Sequence, residues 1–214
     1  MRKVFEIGGL VAAAVLIAFG IGAVVLGVNG RTTVRDSLQA EQIVGSDDMS
    51  PAAIAVAAKE AGLPASTPFP TVDVAGKPID TGERARAFAG YMRIHALESS
   101  GGLTYAQMGR FATADGKPAG TNDETLALKG PDGQPVSNAA RNTWITETAL
   151  GTALNVSYMA EKTALFGIVV GIALLLSGFG FAILAIGGAL RNPERAFGLS
   201  FGARKPKTPG VPVA

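Results

Sequence analysis

Two long uncharged apolar runs constrain this chain more than any other feature. Ile7 to Val28 is 22 residues without a charge, and Ala164 to Leu190 is 27 more in which Ser177 is the only hydroxyl. As helices rising about 1.5 Å per residue they reach about 33 and 40 Å, enough to cross a hydrocarbon core of about 30 Å. A helix buried in a soluble protein rarely runs this far without a polar face, so both segments read as transmembrane helices. A mean hydropathy of +0.30 with 17% charged residues agrees with that assignment.

The first run follows Arg2 and Lys3, which raises the question of a cleaved signal peptide. Its length exceeds the usual h-region of about 7 to 15 residues, and no small-x-small site follows Val25. An uncleaved signal anchor is the expectation. Charge placement then orients the chain. Residues 29–163 carry 12 basic and 15 acidic side chains, while the tail from Arg191 to Ala214 holds five basic residues against Glu194 alone. Short basic flanks stay on the cytoplasmic side and long segments translocate largely regardless of charge. The expected layout is therefore a cytoplasmic N-terminus (1–6), a first span (7–28), an extracytoplasmic helical domain (29–163), a second span (164–190) and a basic, Pro-containing cytoplasmic tail (191–214). The fold class is mainly α, with that domain inserted between two transmembrane helices in the plasma membrane.

Within 29–163 the local signals are mostly helical. Thr32 to about Val44 continues the first span. Ser50 before Pro51 reads as an N-cap with Pro at the first helical position, opening an Ala-rich helix that Gly62 closes. Pro64, Pro68, Pro70 and Pro78 make Leu63 to Asp80 an extended connector that could wrap over the helices. Thr81 caps a helix over Gly82 to Ser99, on which Phe88, Tyr91, Met92 and His95 share a face at i, i+3, i+4 and i+7. Thr104 and Gln107 form a capping-box pair, predicting a short helix to about Ala112. Thr113 to Val136 reads as loop with one helical turn after Thr121. A single helix is expected from Asn138 to Leu190, with Leu150, Leu154 and Tyr158 on one stripe. Its first half and the extension of the first span would pair antiparallel as a stalk for the shorter helices. The tail beyond about Leu199 is expected to be disordered.

Composition excludes several chemistries. With no Cys there is no disulfide, thiolate metal site or cysteine nucleophile, and His95 is the only histidine. The acidic residues fit no calcium-loop spacing, and no hydrolase, zinc, phosphate-loop or dinucleotide motif occurs. No catalytic, metal or cofactor residue is assigned. With 19 basic against 17 acidic residues there is no nucleic-acid signature either. The span interiors hold no ionisable or amide group, which argues against a transport pathway through this chain alone. They do hold small residues at helical spacing: Ala14, Ala18 and Gly22 in the first, and Gly167, Gly171, Gly178 and Ala182 in the second. Such residues let helix backbones approach closely in lipid, and these are the candidates for helix packing. Phe88, Tyr91, Met92, His95 and Trp144 are candidates for interaction or core packing. The expected partners are the lipid bilayer and either further copies of the chain or a larger membrane complex.

The run from Arg84 through Tyr91 to Glu98, the run from Gly101 through Tyr105 to Phe111, the opening Met1 to Leu10 and the stretch Trp144 to Leu150 resemble an uncharacterised family of two-pass actinobacterial membrane proteins. Its members often carry the automatic name aromatic ring-opening dioxygenase alpha subunit. The resemblance implies a two-span membrane protein and transfers no catalytic residue. An extradiol dioxygenase holds ferrous iron by two His and one carboxylate, and one copy of this chain supplies one imidazole. The leading expectation is a structural or accessory subunit whose outer domain binds protein. The alternatives are an extracytoplasmic enzyme subunit using His95 with acidic residues, and an envelope sensor signalling through the basic tail.

Overall fold

The structure is a computed structural model in which residues 2–187 are described. It is mainly helical: α1 (Arg2–Ala40), α2 (Pro51–Glu60), α3 (Gly82–Ser99) and α4 (Ala139–Ile186), with a 3₁₀ turn at Tyr105–Gln107. Among the described residues β-pairing is limited to isolated bridges. The chain divides into two units, one containing residues up to Val25 and from Ile168, the other Leu26–Gly167. Helices α1 and α4 contribute to both and are each long and apolar enough to cross a membrane.

In the first unit the two helices touch backbone to backbone. A Cβ on Gly171 would lie 2.8 Å from the Gly20 carbonyl, and one on Gly20 would lie 2.9 Å from the Gly171 carbonyl. One on Gly178 would meet Ile17 Cγ1 at 2.7 Å and the Ala13 carbonyl at 3.1 Å. The pairing of Gly20 with Gly171 and of Ala13 with Gly178 is antiparallel. Ala13 and Gly20, and likewise Gly171, Gly178 and Ala185, recur every seven residues and are buried. A seven-residue repeat keeps one seam of each helix facing its neighbour. The large apolar side chains face the other way: Phe5, Phe19, Leu176 and Ile183 are all exposed. Small residues inside and large apolar residues outside invert the pattern of a helix pair in water.

The second unit has a conventional core. Ile54, Val74, Ile79, Tyr91, Ile94 and Leu154 pack together, bringing α2, the connector, α3 and α4 into one cluster, to which Leu38 adds α1. A smaller cluster joins Ala96, Met108 and Trp144. The caps are those that the residue types dictate. Ser50 Oγ accepts from Ala53 N–H, Thr81 Oγ1 accepts from Arg84 N–H, and Gly62 takes a positive φ of 68°. In this unit the outer parts of α1 and α4 run side by side, with Gly30 against Ala164 and Arg31 Nη2 3.4 Å from Glu161 Oε1. The other oxygen of Glu161 accepts from Gly82 N–H at 2.6 Å, placing a carboxylate at the positive end of α3. Gly82 suits this approach, because a Cβ there would lie 2.8 Å from Tyr158 Cα.

Three local expectations change. Helix α1 ends at Ala40, short of Val44, because Gln42 turns the chain with φ 53° and residues 43–49 then pair with 74–79 through Ile79 N–H to Ile43 O and Val74 N–H to Met49 O. The helix expected to reach Ala112 stops at Gln107, because Phe111 exchanges backbone hydrogen bonds with Thr121. No helical turn follows Thr121; Asp123 Oδ1 accepts from Thr125 N–H and Oγ1–H, a side-chain turn that competes with helix. Helix α4 is capped by Asn138, whose Oδ1 accepts from Ala140 N–H. The tail from Arg191 and the last residues of the expected second span lie outside the described residues.

Candidate functional site

A groove of about 790 Å³ opens in the second unit. Its lining falls on one face of α3 (Arg86, Gly90, Arg93), one face of α4 (Glu147, Gly151, Asn155) and the connector. The connector is pressed onto α3 where a glycine allows it: a Cβ on Gly90 would lie 2.8 Å from Pro70 Cγ. It is tied there by Tyr91, whose hydroxyl donates to Val72 O at 3.1 Å. Burial raises the Tyr91 hydroxyl above its ordinary value near 10, and the negative charge of Asp73 adds to this.

Charge in the groove is unevenly satisfied. Arg86 lies over the ring of Tyr158 at 4.7 Å and Arg93 over the ring of Trp144 at 5.0 Å. Lys162 pairs with Glu83. Glu147 is different. It is only 7% exposed, it accepts a long hydrogen bond of 3.3 Å from the neighbouring Thr148 hydroxyl, and among the described residues no cation reaches ion-pair distance of it.

The residues singled out in the sequence divide between core and surface. Phe88, Tyr91 and Met92 pack in or against the main core, and Trp144 in the smaller one. His95 sits where that apolar stripe meets the surface. Its Nδ1 is 2.9 Å from Glu98 Oε2 and its Nε2 is 3.3 Å from Asp48 Oδ2, so the ring links α3 to the loop before α2. Asp48 also accepts from the Ser46 hydroxyl at 2.6 Å; that bond, and after it the charge of His95, hold its carboxyl below the ordinary value near 3.8. Among the described residues no group of three His, Asp or Glu side chains is placed to hold a metal, and the two-imidazole iron site of an extradiol dioxygenase does not fit a chain with one histidine.

Of the small residues, Gly171 and Gly178 lie in the helix contact. Ala182 is half-buried, as is Gly167 at the edge of the second unit. Ala14 and Ala18 are exposed, and Gly22 has open space where a Cβ would stand. The contact surface of α1 in this unit is Ala13, Ile17, Gly20 and Val24. The groove itself escaped the sequence reading. Its one signal is the small polar stripe Thr148, Gly151, Thr152 and Asn155 at i, i+3, i+4 and i+7, facing the connector side of α4.

Comparison with protein-family models, curated proteins and solved structures returns no match to this chain.

Proposed function

We propose that this protein is a structural or accessory membrane component: two membrane-spanning helices hold residues 29–163 outside the plasma membrane, with both termini cytoplasmic, as a helical domain that binds another protein. The observation that carries this reading is the division of labour between the two units. In one, large apolar side chains face outward over a seam of glycine and alanine, as a lipid surface requires. In the other, a conventional core supports an open groove with a buried carboxylate. The resemblance to two-pass actinobacterial proteins belongs to the same reading and adds no catalytic role.

The test is extraction of the tagged protein from native membranes in mild detergent, followed by particle mass and mass spectrometry. A stoichiometric second protein, or a defined homo-oligomer, is the expected result; a monodisperse lone chain refutes the interaction reading. Topology is testable separately because the chain has no Cys, so a single introduced cysteine is the only thiol. Asn122→Cys should react with an impermeant maleimide on intact cells, and labelling only after permeabilisation refutes the orientation.

A further inference from the structure

The charge that the groove of the second unit leaves open is basic. Of the two carboxylates on its lining, Glu83 pairs with Lys162, and Glu147 is buried and accepts from the Thr148 hydroxyl. The two guanidinium groups, those of Arg86 and Arg93, belong to exposed residues. The two ends of the groove differ. Arg93 lies over Trp144, one turn of α4 from Glu147, so that end holds one charge of each sign. At the other end Arg86 and Lys162 both lie over the ring of Tyr158, at 4.7 and 5.2 Å. The carboxylates there are Glu83, taken by Lys162, and Glu161, taken by Arg31 and the Gly82 N–H. Three cations thus meet two carboxylates. The odd one is Arg86, which no carboxylate of the described residues reaches at ion-pair distance.

Stacking does not consume a guanidinium. Its face rests on the ring, which orients it, while its N–H donors project from its edge in the fork that carboxylate and phosphate groups match. Beside Arg86 the groove turns apolar. Gly90 is one turn along α3 from Arg86, and Pro70 of the connector is pressed against it. Pro68 and Phe69, the two residues before Pro70, line the groove and are exposed. An oriented cation next to an apolar wall, in a groove of about 790 Å³, suits a small molecule with one anionic end.

We infer that this groove binds a small organic anion, whose carboxylate or phosphate takes the edge of Arg86 and whose apolar body lies on Pro68 and Phe69. It is a ligand site in addition to the proposed protein interaction and does not depend on it.

The full chain in phosphatidylcholine nanodiscs is titrated with hydrocinnamate and with hydrocinnamamide, its neutral counterpart of the same shape, and the heat is read against empty nanodiscs. The expected result is saturable binding of the acid, weakened at least about tenfold in the amide. Arg86→Gln should abolish that preference and Arg93→Gln should preserve it, with helicity by circular dichroism retained in both. Phe69→Ser should weaken acid and amide alike. Equal affinity for the two compounds, a preference for the acid that survives Arg86→Gln, a preference lost equally in Arg93→Gln, or no saturable heat up to about 10 mM overturns the inference. Mass spectrometry of lipid carried through purification then separates the two sources of such an anion. An anionic lipid held stoichiometrically by the native chain and lost in Arg86→Gln makes the ligand a lipid headgroup, and binding of hydrocinnamate without such a lipid makes it a free organic anion. A failed titration leaves the outcome of the extraction experiment as it stands.

Discussion

Replacing Gly171 by Ala adds one methyl group where the two apolar helices touch backbone to backbone. That carbon would sit 2.8 Å from the Gly20 carbonyl oxygen and from Val24 Cγ2, and 2.9 Å from Val24 N. Two of these neighbours are backbone and cannot rotate away, so α1 and α4 must part until the contacts reach about 3.4 Å. Overpacking of this kind costs about 1–3 kcal/mol. Against it stands the better helix propensity of Ala, about 1 kcal/mol in water. Gly22→Ala is the internal control. It carries the same change of propensity, but a Cβ there meets nothing within 4 Å. The difference between the two variants isolates packing, and Gly171→Ala should be less stable than Gly22→Ala by about 1–3 kcal/mol, a factor of roughly 5 to 150 in the unfolding equilibrium. The assay is a graded SDS titration in mixed lipid–detergent micelles, followed by helicity. Equal midpoints for the two variants would refute the seam. A larger loss in Gly22→Ala would place the working contact on the Ala14, Ala18 and Gly22 face, between copies of the chain.

Asn138→Ala should be among the most damaging polar substitutions, because its amide nitrogen donates to Gly109 O and Pro118 O at 3.1 and 2.8 Å while Oδ1 caps α4. Loss of the cap and two stranded carbonyls should lower stability by about 2–4 kcal/mol in chemical denaturation of the full chain; a change below about 1 kcal/mol would contradict it. The lowered Asp48 carboxyl makes its contribution fully present above about pH 3.8 and lost as pH falls through the folded-state value. Because Asp48 is half exposed, the effect is below about 1 kcal/mol. Ser46→Ala should therefore depress the melting temperature slightly at pH 6 and not at pH 2, and a difference that persists at pH 2 would show that the hydroxyl acts otherwise.

The two long apolar helices were legible because runs of 22 and 27 uncharged residues without Pro contain nothing that breaks a helix. The caps at Ser50, Thr81 and Gly62 were legible for a similar reason, since each residue satisfies or permits a specific backbone geometry within its own turn. The seam was legible only in part. Glycine and alanine are so frequent in the apolar part of α1 that several faces are equally small, and the choice of Ala13 and Gly20 over Ala14, Ala18 and Gly22 is made by the partner helix. Residues 103–138 were misread where local propensity met tertiary pairing: Phe111 is satisfied by Thr121 and by the segment around Ser137, not by its own helix. The groove was invisible because the connector makes it by lying over α3, and nothing in the spacing along α4 records that.

The carboxylate of Glu161 sets a timetable for synthesis. One of its oxygens meets Arg31, 130 residues earlier, and the other meets the first amide of α3, 79 residues earlier. Leu154 closes the main core from the same stretch of α4. A chain still emerging from the ribosome can form α2 and α3 as helices, but their apolar faces stay open until translation has passed residue 161. The domain therefore completes late, once the second long helix is being made, and truncation before Leu154 should leave a protease-sensitive product whatever becomes of the first.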